Sequence, residues 1–249
     1  TLYSQSFDAG ILLCAMSNNN SLAVVTESGR YAAQVQVFDP SLHLLYSWEM
    51  TQSAGTPIAL DFSPDSRRFA AGMLSAREGQ LSCSVYFMSM DANAEGPVYT
   101  ADQGSMLLRL DWQSERRVMA VFDTYLAVLD PTTGTETARY DYGGAALQSV
   151  APGRRQTALL LTVRGGNNLV TLSETLTPMA EIPARQAFGV SATDTDIYLL
   201  CPDAVECYGY DGVQNWVYSD LASRPLAVVN AAKPLLLTGS RAEVLEGGS

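Results

Sequence analysis

Two aspartates occupy matching places in two short apolar segments, and their carboxylates are the groups best suited to catalysis. Asp61 lies in the segment LDFS and Asp111 in the segment LDWQ. A pair of carboxylates that faces one channel can act as acid and base in glycoside hydrolysis. The alternative, which we favour, is that each carboxylate makes local hydrogen bonds near a turn. Val150 and Val190 are expected at the same level of later repeats, so an acidic ring would be incomplete, and we assign no catalytic residue.

Three short polar segments each carry two adjacent arginines. The pairs are Arg67 and Arg68, Arg116 and Arg117, and Arg154 and Arg155. Because the formal net charge of the chain is −11, a local cluster of these side chains would stand out as a site for an anionic partner. The other interpretation is that they are solvated turn residues, partly neutralised by Asp65 and Glu115. We take the six arginines as candidate binding residues.

Several kinds of site are excluded by composition. His43 is the only histidine, no two of the four cysteines form a C-x-x-C pair, and no P-loop, G-x-S-x-G or G-x-G-x-x-G motif occurs. We therefore expect neither a metal site nor a cofactor. Cys201 and Cys207 flank a predicted hairpin turn, and both a disulfide and two buried thiols remain open. The acidic balance argues against nucleic-acid binding, and no apolar run approaches the ~18–20 residues of a membrane-spanning helix.

The elements that carry these residues recur along the chain. Six segments share one layout, in which an apolar strand, a polar turn and a second apolar strand follow each other. The second strands begin near Leu22, Phe69, Met119, Ala158, Tyr198 and Leu235. Their spacing, about 37 to 50 residues, is typical of the four-stranded blade of a β-propeller. The pattern predicts an all-β, six-bladed β-propeller, whereas a solenoid or a two-sheet sandwich is the alternative.

The predicted blades divide residues 1–249 into one domain. Their approximate ranges are 10–51, 54–102, 104–143, 145–185, 187–222, and 225–249 together with 1–8. The last repeat stops after its third strand, whereas TLYSQSFD at the start of the chain is similar to the fourth strands of other repeats. We expect Thr1–Asp8 to pair with the last blade and close the ring, since an unpaired sheet edge promotes aggregation. The three arginine pairs would then lie on one face, as an arc over blades 2 to 4.

Two segments carry a resemblance to known propellers. LDFSPDSRRFAAG (60–72) resembles the first two strands of a WD40-type blade, and GYDGVQNWVYS (209–219) resembles the third and fourth strands of a quinoprotein-type blade. The whole chain is similar to an uncharacterised family of propeller ectodomains of Gram-positive bacteria that carry one N-terminal transmembrane helix. The resemblance implies an extracytoplasmic domain with an upstream membrane anchor. That family has no assigned activity, so no catalytic residue is transferred.

These observations predict a non-catalytic propeller that binds a ligand or a protein. The expected partner is an unknown protein or an anionic cell-surface polymer. We expect no membrane contact by this part of the protein itself. One alternative is a propeller enzyme that acts on polysaccharide through Asp61 and Asp111. Another is a cytoplasmic, WD40-like scaffold protein.

Overall fold

All regular structure in the described part of the chain is β-strand. A computed structural model describes residues 4–77, 79–91, 96–219, 221, 223–229 and 233–245. Within these ranges it contains six antiparallel sheets and no helix. In each sheet the strands are hydrogen-bonded in chain order, as in a simple meander. This all-β arrangement of repeated three- and four-stranded sheets is the one predicted from the repeats.

The first three sheets each contain four strands. Sheet 1 comprises β1 (Ile11–Met16), β2 (Leu22–Thr26), β3 (Ala33–Phe38) and β4 (Leu44–Met50). Sheet 2 comprises β5 (Thr56–Phe62), β6 (Arg68–Arg77), β7 (Gln80–Ser89) and β8 (Val98–Thr100). Sheet 3 comprises β9 (Leu107–Ser114), β10 (Arg117–Phe122), β11 (Tyr125–Asp130) and β12 (Thr135–Asp141).

The last three sheets contain four, four and three described strands. Sheet 4 comprises β13 (Ala146–Ala151), β14 (Thr157–Val163), β15 (Gly166–Leu172) and β16 (Pro178–Pro183). Sheet 5 comprises β17 (Gly189–Ala192), β18 (Asp196–Leu200), β19 (Val205–Gly209) and β20 (Gln214–Tyr218). Sheet 6 comprises β21 (Pro225–Val229), β22 (Leu235–Thr238) and β23 (Ala242–Val244).

The residue pattern of each strand reflects its place in its sheet. β3 alternates buried Ala33, Val35 and Val37 with half-buried Gln34 and Gln36, so only one of its faces enters the core. β10 is apolar and buried at every position after its first residue, because both of its faces are covered. Strands covered on both faces therefore appear as continuous apolar runs, whereas strands with one covered face alternate.

The chain forms two compact units, Thr1–Arg139 and Tyr140–Ser249. In the first unit, the first strands of the three sheets, β1, β5 and β9, are neighbours. In the second unit, β13, β17 and β21 are neighbours in the same way. Cores lie between successive sheets of a unit, as where Phe87 of sheet 2 packs edge-on against Trp112 of sheet 3. That the chain is a single domain stays a prediction.

The predicted closing strand lies partly outside the described residues. Nothing is described for residues 1–3, and residues 4–10 contain no strand. Phe7 in this segment packs edge-on against Phe38 of sheet 1, with ring centroids 5.9 Å apart. Pairing of Thr1–Asp8 with the last blade therefore stays a prediction.

The structure bears on two sequence-based expectations, the state of Cys201 and Cys207 and the absence of a membrane-spanning helix. Cys201 and Cys207 are both buried free thiols, as the second of the two open interpretations supposed. No helix long and apolar enough to span a bilayer occurs in the part of the chain that the structure describes.

Candidate binding site on the strand-connecting turns

The turn between β5 and β6 is held by its own side chains. The Ser63 hydroxyl donates to Asp65 Oδ1 (2.5 Å) and accepts from the backbone N–H of Arg68 (2.9 Å). Asp65 Oδ1 also accepts from the backbone N–H of Arg67 (3.1 Å). Ser66 completes the turn with a left-handed backbone (φ 59°). Because short polar side chains bond nearby backbone groups in this way, the local sequence determines where Arg67 projects from the sheet.

The turn between β1 and β2 uses the same chemistry and contacts the turn of sheet 2. Asn19 Oδ1 accepts from the backbone N–H of Ser21 (3.0 Å), and Asn20 has a left-handed backbone (φ 64°). Between the two turns, Asn18 Nδ2 donates to the carbonyl of Pro64 (3.2 Å). The backbone N–H of Asn19 donates to Ser66 Oγ (3.3 Å). The two turns therefore form one continuous surface.

In sheets 2 and 3 each arginine pair is divided between solvent and the protein. Arg67 is exposed, whereas the half-buried Arg68 lies over the Trp112 ring, with its guanidinium carbon 5.2 Å from the ring centroid. Arg116 is likewise exposed, whereas the half-buried Arg117 donates from Nε to Gln113 Oε1 (2.6 Å). The second arginine of each pair thus packs against the protein, and the first is available to a partner.

Carboxylates lie close to both exposed arginines. The pKa of Asp65 is lowered, first by the hydrogen bond from Ser63 and then also by the charges of Arg68 and Arg67. The pKa of Asp130 is lowered, first by hydrogen bonds from Thr132, with the charge of Arg116 contributing. Both carboxylates are therefore ionised at neutral pH. The surface therefore carries both signs of charge.

The third arginine pair belongs to the second unit. Arg154 and Arg155 lie in the turn between β13 and β14, and both are exposed. Gly153 precedes them where a side chain would collide with the carbonyl oxygen of Gln156, since an added Cβ would stand 2.4 Å from it. The turn at Gly153 is therefore tight, and both arginines of this pair are exposed, unlike the divided pairs of the first unit.

Asp61 links the first strands of sheets 2 and 3. Its Oδ2 accepts from the backbone N–H of Trp112 (2.6 Å), and its Oδ1 accepts from the backbone N–H of Phe62 (3.0 Å). Burial raises its pKa, and the nearby charge of Asp111 adds to the rise. Asp111 in turn accepts from Gln113 Nε2 (2.9 Å), the residue that Arg117 also contacts. Asp61 is thus tied both to its own strand and to the next sheet, and Asp111 is tied into a local hydrogen bond near the turn.

Two serines in the second unit make the link that Asp61 makes in the first. Ser149 Oγ accepts from the backbone N–H of Val190 (3.2 Å), and Ser191 Oγ accepts from the backbone N–H of Val228 (3.3 Å). The matching level was assigned to Val150 and Val190 from the sequence, one residue away from the serines. Counting from the proline of the turn would have given Ser149 instead of Val150, because Asp61 and Ser149 each stand three residues before a proline. For Ser191 the same count gives Asp194 and no proline, so the sequence offered no such signal there.

The arrangement suits recognition by surface contacts. Within the described ranges, no group of three or more His, Cys, Asp and Glu side chains could hold a metal ion. Asp61 accepts from backbone N–H groups, and Asp111 accepts from the side-chain amide of Gln113. The exposed groups on the turns are guanidinium, amide and carboxylate groups, which form hydrogen bonds and ion pairs with a partner.

Solved structures of low sequence identity share the fold. A eukaryotic initiation factor matches 92% of this chain at 10% identity with a TM-score of 0.68, and this chain spans 59% of that one. The WD40 domain of Neurospora crassa Pan2 matches 92% of this chain and 86% of its own at 11% identity, with a TM-score of 0.58. The computationally designed Ika8 protein matches 92% of this chain and 81% of its own at 12% identity, with a TM-score of 0.53.

These similarities and the six meandering sheets show the predicted fold class, a WD40-like β-propeller. At sequence identities this low, structural similarity is evidence for the fold alone. No curated protein matches the chain. A family model described as "Family of unknown function (DUF5711)" matches residues 1–172. Because that match covers more than half of the sequence, the chain belongs to this family of unknown function, DUF5711.

Proposed function

We propose that this propeller is a non-catalytic binding module that recognises an anionic partner through the turns of sheets 2 and 3. The observation that carries the proposal is the division of the arginine pairs. Arg68 and Arg117 contact Trp112 and Gln113 of β9, while Arg67 and Arg116 remain exposed on the turns. A turn that is rigid before binding loses little conformational entropy when a partner binds. Arg154 and Arg155 offer a second, separate exposed pair.

The proposed partner is an anionic cell-surface polymer, and the proposed location is outside the cytoplasmic membrane. The resemblance to anchored propeller ectodomains of Gram-positive bacteria supports this location. A repeating polyanion also suits the mixed surface, because its charges can contact exposed arginines while avoiding Asp65 and Asp130. An acidic protein segment is the alternative ligand, and a cytoplasmic WD40-like scaffold is the alternative setting.

Binding to purified anionic cell-wall polymer tests the proposed site. The double variant Arg67→Ala with Arg116→Ala should weaken binding by about tenfold, because each exposed charged contact contributes roughly 0.2–1 kcal/mol. Arg30→Ala is the matched control, since Arg30 is also exposed but follows β2, away from these turns. Binding should weaken as salt increases. Equal affinity of the double variant and the wild type would refute the assignment of the turn arginines.

The proposed location has its own test. Protease added to intact cells should cleave the native, full-length protein in this domain while a cytoplasmic marker stays intact. If both are protected, the cytoplasmic scaffold becomes the better proposal, and partners should be sought among cytoplasmic proteins.

The enzyme alternative rests on the closeness of Asp61 and Asp111. The charge of Asp111 contributes to the raised pKa of Asp61, as a carboxylate pair requires. Both oxygens of Asp61 nevertheless accept backbone N–H groups, which suits a structural link better than proton transfer to a substrate. A polysaccharide hydrolase would lose all activity in Asp111→Asn, whereas the binding module would keep its affinity for the polymer in that variant.

A further inference from the structure

A small cavity in the second unit brings an acidic and a basic side chain to one space. It has a volume of about 290 Å³ and lies between the loop that joins β16 to β17 and the strands of sheet 5. Its polar lining consists of Arg185, Gln186, Cys201, Glu206, Tyr208 and Gln214. The turn arginines are not part of it. It is therefore a separate candidate site, independent of the proposed polymer binding.

The acidic side of the cavity is held in place by a chain of hydrogen bonds. Glu206 and Tyr208 point to the same face of β19, because side chains alternate along a strand. Gln214 Nε2 donates to the Tyr208 hydroxyl (3.0 Å), and that hydroxyl donates to Glu206 Oε2 (2.9 Å). Glu206 is half-buried, and an ionised carboxylate accepts up to about four hydrogen bonds. Its orientation is thus determined before any ligand arrives, and acceptor capacity remains.

The neighbouring thiol and phenol are neutral groups. Burial and the charge of Glu206 raise the pKa of Cys201 to about 12. Burial and the hydrogen bond to Glu206 raise the pKa of Tyr208 to about 12. At neutral pH these groups donate hydrogen bonds and do not act as nucleophiles. The cavity is thereby suited to binding without covalent chemistry.

The basic side of the cavity is a guanidinium group on its rim. Arg185 is exposed, and among the residues that the structure describes no ion pair joins it to a carboxylate, Glu206 included. Opposite charges that line one cavity without meeting leave room for a ligand between them. A guanidinium group binds a carboxylate through two parallel hydrogen bonds, and a carboxylate such as Glu206 accepts hydrogen bonds from an ammonium group.

We infer that this cavity binds a small zwitterion, an α-amino acid, with its ammonium group on Glu206 and its carboxylate on Arg185. The volume of about 290 Å³ is at the lower end of the range for ligand pockets, which favours an amino acid with a short side chain. Apolar Ala184 and Ala187 also line the cavity and suit such a side chain.

Isothermal titration of the whole chain with three related compounds tests the inference. L-Alanine should bind, whereas N-acetyl-L-alanine lacks the ammonium group and L-alanine methyl ester lacks the carboxylate. Each derivative should bind about tenfold or more weakly, since each loses a charge-assisted contact. Equal binding of all three, no binding of L-alanine, or preferential binding of glucose as a neutral polyol would overturn the inference.

Variants of the two charged residues locate the binding in the cavity. Arg185→Gln and Glu206→Gln should each raise the Kd for L-alanine by about tenfold or more. Glu206→Gln keeps an oxygen that accepts from Tyr208, and Arg185 is exposed, so both variants should fold. Arg30→Gln, an exposed arginine of the first unit that does not line the cavity, is the matched control and should bind as the wild type does. Unchanged affinity in Arg185→Gln would contradict the proposed carboxylate contact. Since Arg185 and Glu206 play no part in the turn surface, failure here leaves the polymer-binding proposal standing.

Discussion

The hydrogen bonds of Asp61 predict a measurable loss of stability when its carboxylate is removed. In Asp61→Ala the backbone N–H of Trp112, a residue only 5% exposed, loses its acceptor at 2.6 Å. A buried donor left without a partner costs about 1–3 kcal/mol. We take about 2 kcal/mol as the loss in the free energy of unfolding. With an m-value near 3 kcal/mol/M, the urea midpoint should fall by about 0.7 M.

Substitution by serine separates the hydrogen bond from the charge. Ser149 and Ser191 make the same type of link with a hydroxyl group, at 3.2 and 3.3 Å. Asp61→Ser should therefore recover at least half of the stability that Asp61→Ala loses. If serine and alanine are equally destabilising, the link is not what stabilises this position.

The pH dependence of the same variants has a definite sign. The pKa of Asp61 in the folded protein is raised above its ordinary value of 3.8. Its contribution to stability is complete below pH 3.8 and declines as the pH rises through the higher folded value. The difference in stability between the wild type and Asp61→Ala should thus be larger at pH 4 than at pH 7. Urea unfolding followed by tryptophan fluorescence measures the stability of the two proteins at each pH. A difference in stability that grows with pH would refute the reasoning.

Three further outcomes are expected. Arg68→Ala should lower the free energy of unfolding by about 1 kcal/mol because the contact with Trp112 is lost, whereas Arg67→Ala should change it by less than about 0.5 kcal/mol; equal urea midpoints would contradict the division of the pair. Ser191→Ala should cost about 1 kcal/mol in the same assay, and Ser191→Thr, which keeps the hydroxyl, should cost less. In the native protein a thiol reagent should modify the exposed Cys14 rapidly and the other three cysteines slowly, because Cys83, Cys201 and Cys207 are buried and have raised pKa values. Rapid reaction of more than one thiol would contradict this.

Much of the fold could be predicted because each strand and turn has its own sequence signal. The alternation of AQVQVF predicts a strand with one buried face, and Ser-Pro-Asp-Ser predicts the turn that Ser63 and Asp65 hold. These signals depend on neighbours in the chain. They locate strands and turns without knowledge of what packs against them.

The roles of the arginines could not be predicted in the same way. Arg67 and Arg68 are identical in type and adjacent, and only the Trp112 ring of the next sheet distinguishes them. Arg185 lies on a loop and Glu206 on a strand that is not adjacent to it in the sequence, and no sequence motif joins the two residues. Sites that depend on contacts between sheets need the structure.

The hydrogen bonds that Asp61, Ser149 and Ser191 make between the first strands of neighbouring sheets bear on how repeats can be added to such a protein. In each of the three links the acceptor is a side chain and the donor is a backbone amide of the next sheet. The receiving residues, Trp112, Val190 and Val228, share no side-chain chemistry, so the next sheet needs no matching residue. A duplicated repeat that carries the acceptor can therefore join its neighbour without a compensating substitution in that neighbour.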